Sequence, residues 1–261
     1  MNINLLTNEF TQITPTRSLN LLYIILDTIF LLFLIGLLVY KKRYLTTLFG
    51  LFGGILYTLV DFVGFYLLAH SRSIYIDNNL VGAGMTFLVL LWMSMSYGFT
   101  NFVFIWLCLS KDKYLKEWLV LIVGWWLIAP SISKLGGDPN IVTTRTTNEY
   151  HAYMGIVLVI SYLVLIILML IKKKIFVNIL ILNLIGISVQ FGWEFALLIN
   201  GIRPLNEMSI MTLIINSLME TNLGMPLILL IFYYTKKFVN EDLSKSKEVD
   251  LRQFGILKLE K

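Results

Sequence analysis

The sequence predicts an all-α, multi-pass membrane protein with seven transmembrane helices, its N-terminus outside and its C-terminus in the cytoplasm. Three observations predict it. Hydrophobic residues make up 57% of the 261 positions and charged residues only 14%, for a mean hydropathy of +0.78. Apolar stretches recur from residue 18 to residue 234, each near the ~20 residues that cross a bilayer core of ~30 Å. A soluble protein would need an implausibly large core to bury them all. Lysine and arginine, finally, are shared unequally between alternate loops.

The spans fall at 18–40, 46–69, 80–109, 118–133, 153–171, 175–199 and 209–234. Residues 1–17 form an external segment; they carry Glu9 and Arg17 and do not read as a cleaved signal. The loops after the first, third and fifth spans, with the stretch after the seventh, hold Lys41, Lys42, Arg43, Lys111, Lys113, Lys116, Lys172, Lys173, Lys174, Lys236 and Lys237. The opposite set holds only Arg17, Arg72, Lys134, Arg145 and Arg203. The richer set marks the cytoplasmic side and makes 236–261 a cytoplasmic charged tail. The expected location is therefore the cell membrane. A pI near 9.1 then needs no nucleic acid; its natural partner is anionic membrane lipid.

Two stretches match each other. "YKKRYLTTLFGLFGGILYTLVDFVGFYLLAHSR" and "IKKKIFVNILILNLIGISVQFGWEFALLINGIR" share a basic triplet, an apolar helix with an acid late in it, and an arginine in the following loop. The next spans align on Gly98 and Gly224. The halves, about 18–109 and 153–235, form a parallel 3+1+3 repeat joined by a linking helix at 118–133. Such repeats place sites at their interface.

Four acids, Asp27, Asp61, Glu194 and Glu220, fall inside spans, all in the outer half. A charge at a helix centre costs on the order of 2.5–3.5 kcal/mol, so four of them imply a role. Their neighbours are polar on the same faces. Asn216, Glu220 and Gly224 stack at i, i+4, i+8; Gln190 and Glu194 share a face beside Trp193; Ser94, Tyr97 and Asn101 form a stripe, as do Tyr57 and Asp61. Four such stripes converge most simply on one cavity, with Arg72 and Arg203 at its outer rim and Trp92 among its aromatics. The competing reading is interhelical packing, in which each group contributes only ~0.6 kcal/mol. Glu194 and Glu220 are expected to share the cavity, with at least one of them holding a proton.

Other chemistries are disfavoured. Cys108 stands alone and reads as packing, and His70 and His151 lack ligand-type neighbours, so no metal and no cofactor is expected. The last span has no lysine for a retinal Schiff base, and no phosphate loop, zinc helix or nucleophile elbow is present.

The "GWEFALL" stretch, Trp193–Glu194 followed by apolar residues, resembles the Trp-Glu motif of the small integral-membrane terpene cyclases of meroterpenoid and indole-diterpene pathways. The resemblance implies seven helices and protonation of a prenyl or epoxy-prenyl substrate by an intramembrane acid. It also implies one acid in an early helix and one near the last, the slots that Asp61 and Glu220 fill; here the Trp-Glu pair itself lies in the sixth span. The expected function is thus an acid-initiated cyclase or isomerase acting on an isoprenoid or other hydrophobic small molecule. Glu194 or Glu220 is the donor and Asp61 the second acid. Trp193, Gln190, Asn216, Trp92, Ser94, Tyr97, Asn101, Tyr57, Arg72 and Arg203 surround the substrate. The rival is a proton-coupled transporter or sensor on the same repeat; a third reading is a membrane scaffold.

Overall fold

Each element boundary has a local cause. In a computed structural model, which describes residues 16–145, 151–171, 176–205, 207–242 and 257–258, strand β1 (Arg17–Leu19) leads to helix α1 (Leu21–Tyr40). Asn20 caps α1: its side chain accepts from Tyr23 N–H at 3.0 Å and donates to the Ser133 and Gly137 carbonyls. Helix α2 (Tyr44–Thr58) continues as a wider π-helix over Leu59–Leu68, and the Ala69 N–H closes it on the Gly64 carbonyl at 2.9 Å. Strands β2 (Arg72–Ile76) and β3 (Asn79–Leu80) are joined by Asp77–Asn78, both at positive φ, the conformation a two-residue hairpin turn requires.

Helix α3 (Ala83–Ser110) is the axis of the bundle, with 78% of its most apolar stretch buried. It lies closest to α2, because glycines remove the side chains between them. A Cβ on Gly98 would stand 2.9 Å from the Gly53 carbonyl oxygen and from Gly54 Cα, so only glycine permits this approach. Helix α4 (Leu115–Ser133) runs through a short 3₁₀ turn to Gly136, and strand β4 (Ile141–Arg145) precedes α5 (His151–Ile171). The short strand β5 (Phe176–Val177) pairs with β6 (Leu257–Lys258), and α6 spans Ile179–Ile199.

Among the described residues, six helices are long and apolar enough to cross a membrane: α1, α2 with its π extension, α3, α4, α5 and α6. The chain therefore has the architecture of a multi-pass helical membrane protein. The expected span 209–234 is not one helix. It divides into α7 (Glu207–Met219) and α8 (Met225–Asp242) around a turn at 220–224. Pro226 has no N–H to return to Asn222, and Gly224 weakens the helix just before it. The chain tightens there instead, with Gly224 N–H donating to Thr221 and Met225 N–H to Asn222.

The all-α expectation also missed a sheet. Strands β1, β4, β2 and β3 form a four-stranded antiparallel sheet in the order β1-β4-β2-β3. Ser18 N–H reaches the Ile202 carbonyl after α6 at 2.7 Å. The N-terminal strand and the connections α2–α3, α4–α5 and α6–α7 thus gather at one end of the bundle. The last residues of the tail, like Lys172–Lys174, lie outside the described residues apart from Leu257–Lys258.

Candidate functional site

Beneath the sheet, two intrahelical acids, Asp61 and Glu194, and a third in the turn between α7 and α8, Glu220, meet four arginines, one from each connection that reaches this end. Asp61, at the start of the π-helix, is 1% exposed. Ser94 Oγ donates to its Oδ2 at 3.0 Å, and Tyr97 OH donates to the same oxygen. Arg72 Nη1 lies 3.1 Å from that oxygen, an ion pair angled away from a hydrogen bond; Arg145 Nη1 lies 3.9 Å from Oδ1. Glu194 receives Arg203 through Nε at 2.8 Å and Nη2 at 2.5 Å, both on Oε2, while Arg17 Nη2 reaches Oε1 at 3.2 Å. Arginine suits such sites because its planar fork can turn two nitrogens to one carboxylate, as Arg203 does to Glu194.

Glu220 sits where the last helix breaks. Arg145 Nη2 holds its Oε1 at 2.7 Å and Gln190 Nε2 its Oε2 at 2.8 Å. The Gln190 amide is itself oriented: Thr221 Oγ1 donates to its Oε1 at 2.9 Å, so the amine end must face Glu220. Burial draws the Arg145 guanidinium down, but Glu220 and Asp61 together outweigh it and hold it above the ordinary arginine range. Arg145 thereby bridges the early acid to the late one.

A cavity of about 220 Å³ opens beside this network. Asp61, Glu220, Arg17, Arg145, Gln190 and Thr221 form its polar wall; Tyr57, Tyr97 and Trp193 supply aromatic faces. The Tyr97 ring lies 4.9 Å from that of Tyr57 and 6.3 Å from that of Trp193, and Arg17 stands 5.5 Å above it. Glu194 is not among the lining residues. The expected carboxyl pair, Glu194 with Glu220, is therefore not what lines the cavity. The two acids that share it are Asp61 and Glu220, and arginine stands beside each.

The remaining expected residues divide. Ser94, Arg72 and Arg203 belong to the acid network without lining the cavity. Asn216 is buried one turn before Glu220, and its carbonyl accepts the Glu220 N–H. Asn101 is buried away from the cavity, with neither amide atom partnered among the described residues. Trp92 packs edge-on to Tyr23 at 5.8 Å and is also off the cavity. The remaining acid of the four, Asp27 in α1, is 3% exposed and forms no ion pair among the described residues. No cluster of three His, Cys, Asp or Glu residues able to hold a metal exists among the described residues.

Sequence reasoning missed Arg17 and Arg145 as site residues, reading them only as orientation signals, and it missed Thr221. A signal for the arginines was present. Of the five basic residues assigned to the outer side, four are arginine, whereas ten of the eleven on the other side are lysine. The one exception, Arg43, is also buried, in an ion pair with Asp112. Compared with protein-family models, curated proteins and solved structures, the chain matches none.

Proposed function

We propose that this chain is a seven-pass membrane enzyme that starts a carbocation rearrangement, a cyclisation or isomerisation, on an isoprenoid or similarly apolar substrate. One observation carries the reading: Asp61 and Glu220, the early and late acids that the terpene-cyclase resemblance calls for, line one aromatic-walled cavity and are joined through Arg145. Glu220 is the proton donor, since it faces the cavity and a fixed amide orients it; it is loaded by a solvent proton before turnover, and Arg145 stabilises the carboxylate left after transfer. The Glu220 proton adds to an alkene or epoxide of the substrate. The cation migrates past Tyr57 and Trp193, whose faces each stabilise it by ~0.5–2 kcal/mol. Asp61 takes the proton released when the final alkene forms, so the net reaction consumes nothing, and solvent protons reset the pair. Glu194, clamped by two arginines off the cavity, anchors the sheet to α6.

In this reading α7 and α8 together make the seventh crossing, the sheet faces outside, and the halves are a parallel repeat. The ion pairs support that repeat by their crossing. Arg17, preceding the first helix of one half, pairs with the acid of the other half, Glu194; Arg145, preceding the first helix of the second, approaches the acid of the first, Asp61.

The deciding experiment incubates the protein, reconstituted in lipid, with prenyl alcohols, their epoxides and prenylated aromatics. Cyclised or double-bond-shifted products that vanish in both Glu220→Gln and Asp61→Asn would support the assignment; product formation that survives both changes would remove it. A second reading, a proton-coupled transporter, draws on the broken last helix, because discontinuous helices at a repeat interface form many transporter sites. Proton-dependent uptake into vesicles without any chemical change in the solute would favour it.

A further inference from the structure

The cavity has two dissimilar ends. Under the sheet it is ionic, and the side chains that close it there, those of Arg17, Arg145 and Glu220, are 11–17% exposed. Away from the sheet it is apolar, walled by Leu56 and Val60 on α2, Met154 on α5 and Ile228 on α8. Leu56 and Val60 line the cavity and are also 39% and 44% exposed, so at this point the wall is no thicker than their side chains. The neighbouring glycines leave room as well. A Cβ on Gly64, one turn beyond Val60, would meet nothing within 4 Å, and one on Gly155, beside Met154, only Met219 Sδ at 4.0 Å. Helix α5 is the least embedded of the six long helices, with 6% of its most apolar stretch buried. The volume, about 220 Å³, falls short of the ~300–1,000 Å³ typical of sites that enclose a whole small ligand.

We infer that the gap between α2 and α5 is a lateral portal, through which a long-chain isoprenoid dissolved in the bilayer enters reactive end first. Its reactive terminus reaches Asp61 and Glu220, and the rest of its chain lies across Leu56, Val60 and Met154 and out into lipid. The small volume fits a ligand that is only partly swallowed. The closed ionic end means that its approach is from the side rather than through the sheet. The inference rests on the membrane enzyme reading above, but it concerns capture rather than turnover, so the two can fail separately.

The test uses the full chain in phospholipid vesicles, with farnesol bearing a diazirine at its terminal prenyl unit in one arm and along its chain in the other. After photolysis, labelled peptides are mapped. Terminal-unit labels are expected near Asp61 and Glu220, and mid-chain labels on the segments holding Leu56, Val60 and Met154, both displaced by unlabelled farnesol. Val60→Trp should cut specific labelling at least about tenfold, the loss of roughly one decade in affinity. Leu32→Trp, on a lipid-facing position of α1 that is 65% exposed, should leave it unchanged. Labels spread evenly over all lipid-facing helices, or indifferent to competitor, would overturn the portal, as would undiminished labelling in Val60→Trp. Mapping on the unaltered chain decides the matter even if that variant fails to fold. Capture at the portal without turnover of any prenyl substrate would keep the portal and remove the cyclase; turnover without portal labelling would do the reverse.

Discussion

The two halves of the bundle use the same local device, an acid late in a helix and an arginine in the connection that follows, to different ends. Asp61 sits where α2 widens into a π-helix, and it reaches the cavity with Ser94, Tyr97, Arg72 and Arg145 around it. Glu194 sits in regular α-helix and is gripped at both oxygens by Arg203 and Arg17, away from the cavity. In the second half the cavity-facing acid is instead Glu220, released toward it by the break in the last helix. An acid reaches the cavity where the helix carrying it departs from regular α geometry, and regular helix leaves its acid in the scaffold.

That contrast can be broken experimentally, and the largest effect should come from Glu220. Glu220→Gln keeps the shape and the contact to Arg145 but removes the acid, and turnover should fall by about 10²–10⁴-fold, the usual contribution of a general acid. Thermal unfolding in detergent should move less than in Glu194→Gln, because Glu220 and Arg145 are each 17% exposed and Arg145 keeps Asp61 nearby. Glu194→Gln should do the opposite, moving stability more than turnover; equal loss of turnover in both variants would erase the distinction between the sites. Arg203→Leu should come next. It strips Glu194 of its two-pronged partner, and leaving a buried charge short of compensation costs on the order of 3–5 kcal/mol. Unfolding in denaturant measures this, and Glu194→Leu combined with Arg203→Leu should recover part of it. A loss in Arg203→Leu no greater than that of an exposed substitution would mean the pair is ornamental.

Smaller effects sharpen the comparison. Gly98→Ala drives a methyl into the backbone of Gly53 and Gly54, so α2 must move off α3 at a cost of about 1–3 kcal/mol. Because Ser94 and Tyr97 reach Asp61 across that contact, turnover should drop together with stability. Unchanged turnover in a destabilised Gly98→Ala would show that Asp61 needs no positioning from α3. Thr221→Val is the mildest. It frees the Gln190 carbonyl oxygen, an unmade bond of about 1–3 kcal/mol at most, and lets the amide turn away from Glu220. The expected signature is a lower kcat at nearly constant KM; a change in KM alone would assign Thr221 to substrate contact instead.

The sequence made some of this legible and hid the rest for identifiable reasons. Apolar length revealed the six long helices, since bilayer thickness acts on each segment alone. It could not show that 209–234 is two helices, although Gly224 and Pro226 stood inside that run as breakers. The sheet was invisible because its strands are two to five residues long and pair across connections remote in sequence. The clustering of Asp61, Tyr97, Ser94 and Gln190 followed from helical faces, which spacing reports directly; Glu220 joins them from the turn that breaks the last span, so its expected helical stripe with Asn216 and Gly224 does not form. That Arg17 and Arg145 would close on those acids did not, because counting basic residues treats arginine and lysine alike. Their chemistry differs: lysine is a strongly hydrated point charge, arginine a weakly hydrated fork that enters buried pairs. The segregation of the two types between the ends of the bundle was the overlooked clue.

The sheet also sets a schedule for biosynthesis. Thr16 and Thr143, hydrogen-bonded neighbours in the finished protein, lie 127 residues apart in the chain, and Ser18 waits longer still for Ile202. Arg17 is made early, yet its carboxylate partner, Glu194, follows only 177 residues later. Asp61 is likewise made well before Arg145 exists to approach it. The nascent protein must therefore carry this acid ahead of one of its counterions, and the two crossed pairs can close only when the second half arrives. A truncated product ending before α6 carries Arg17 without Glu194, so its N-terminal strand lacks the ion pair that ties it to the second half.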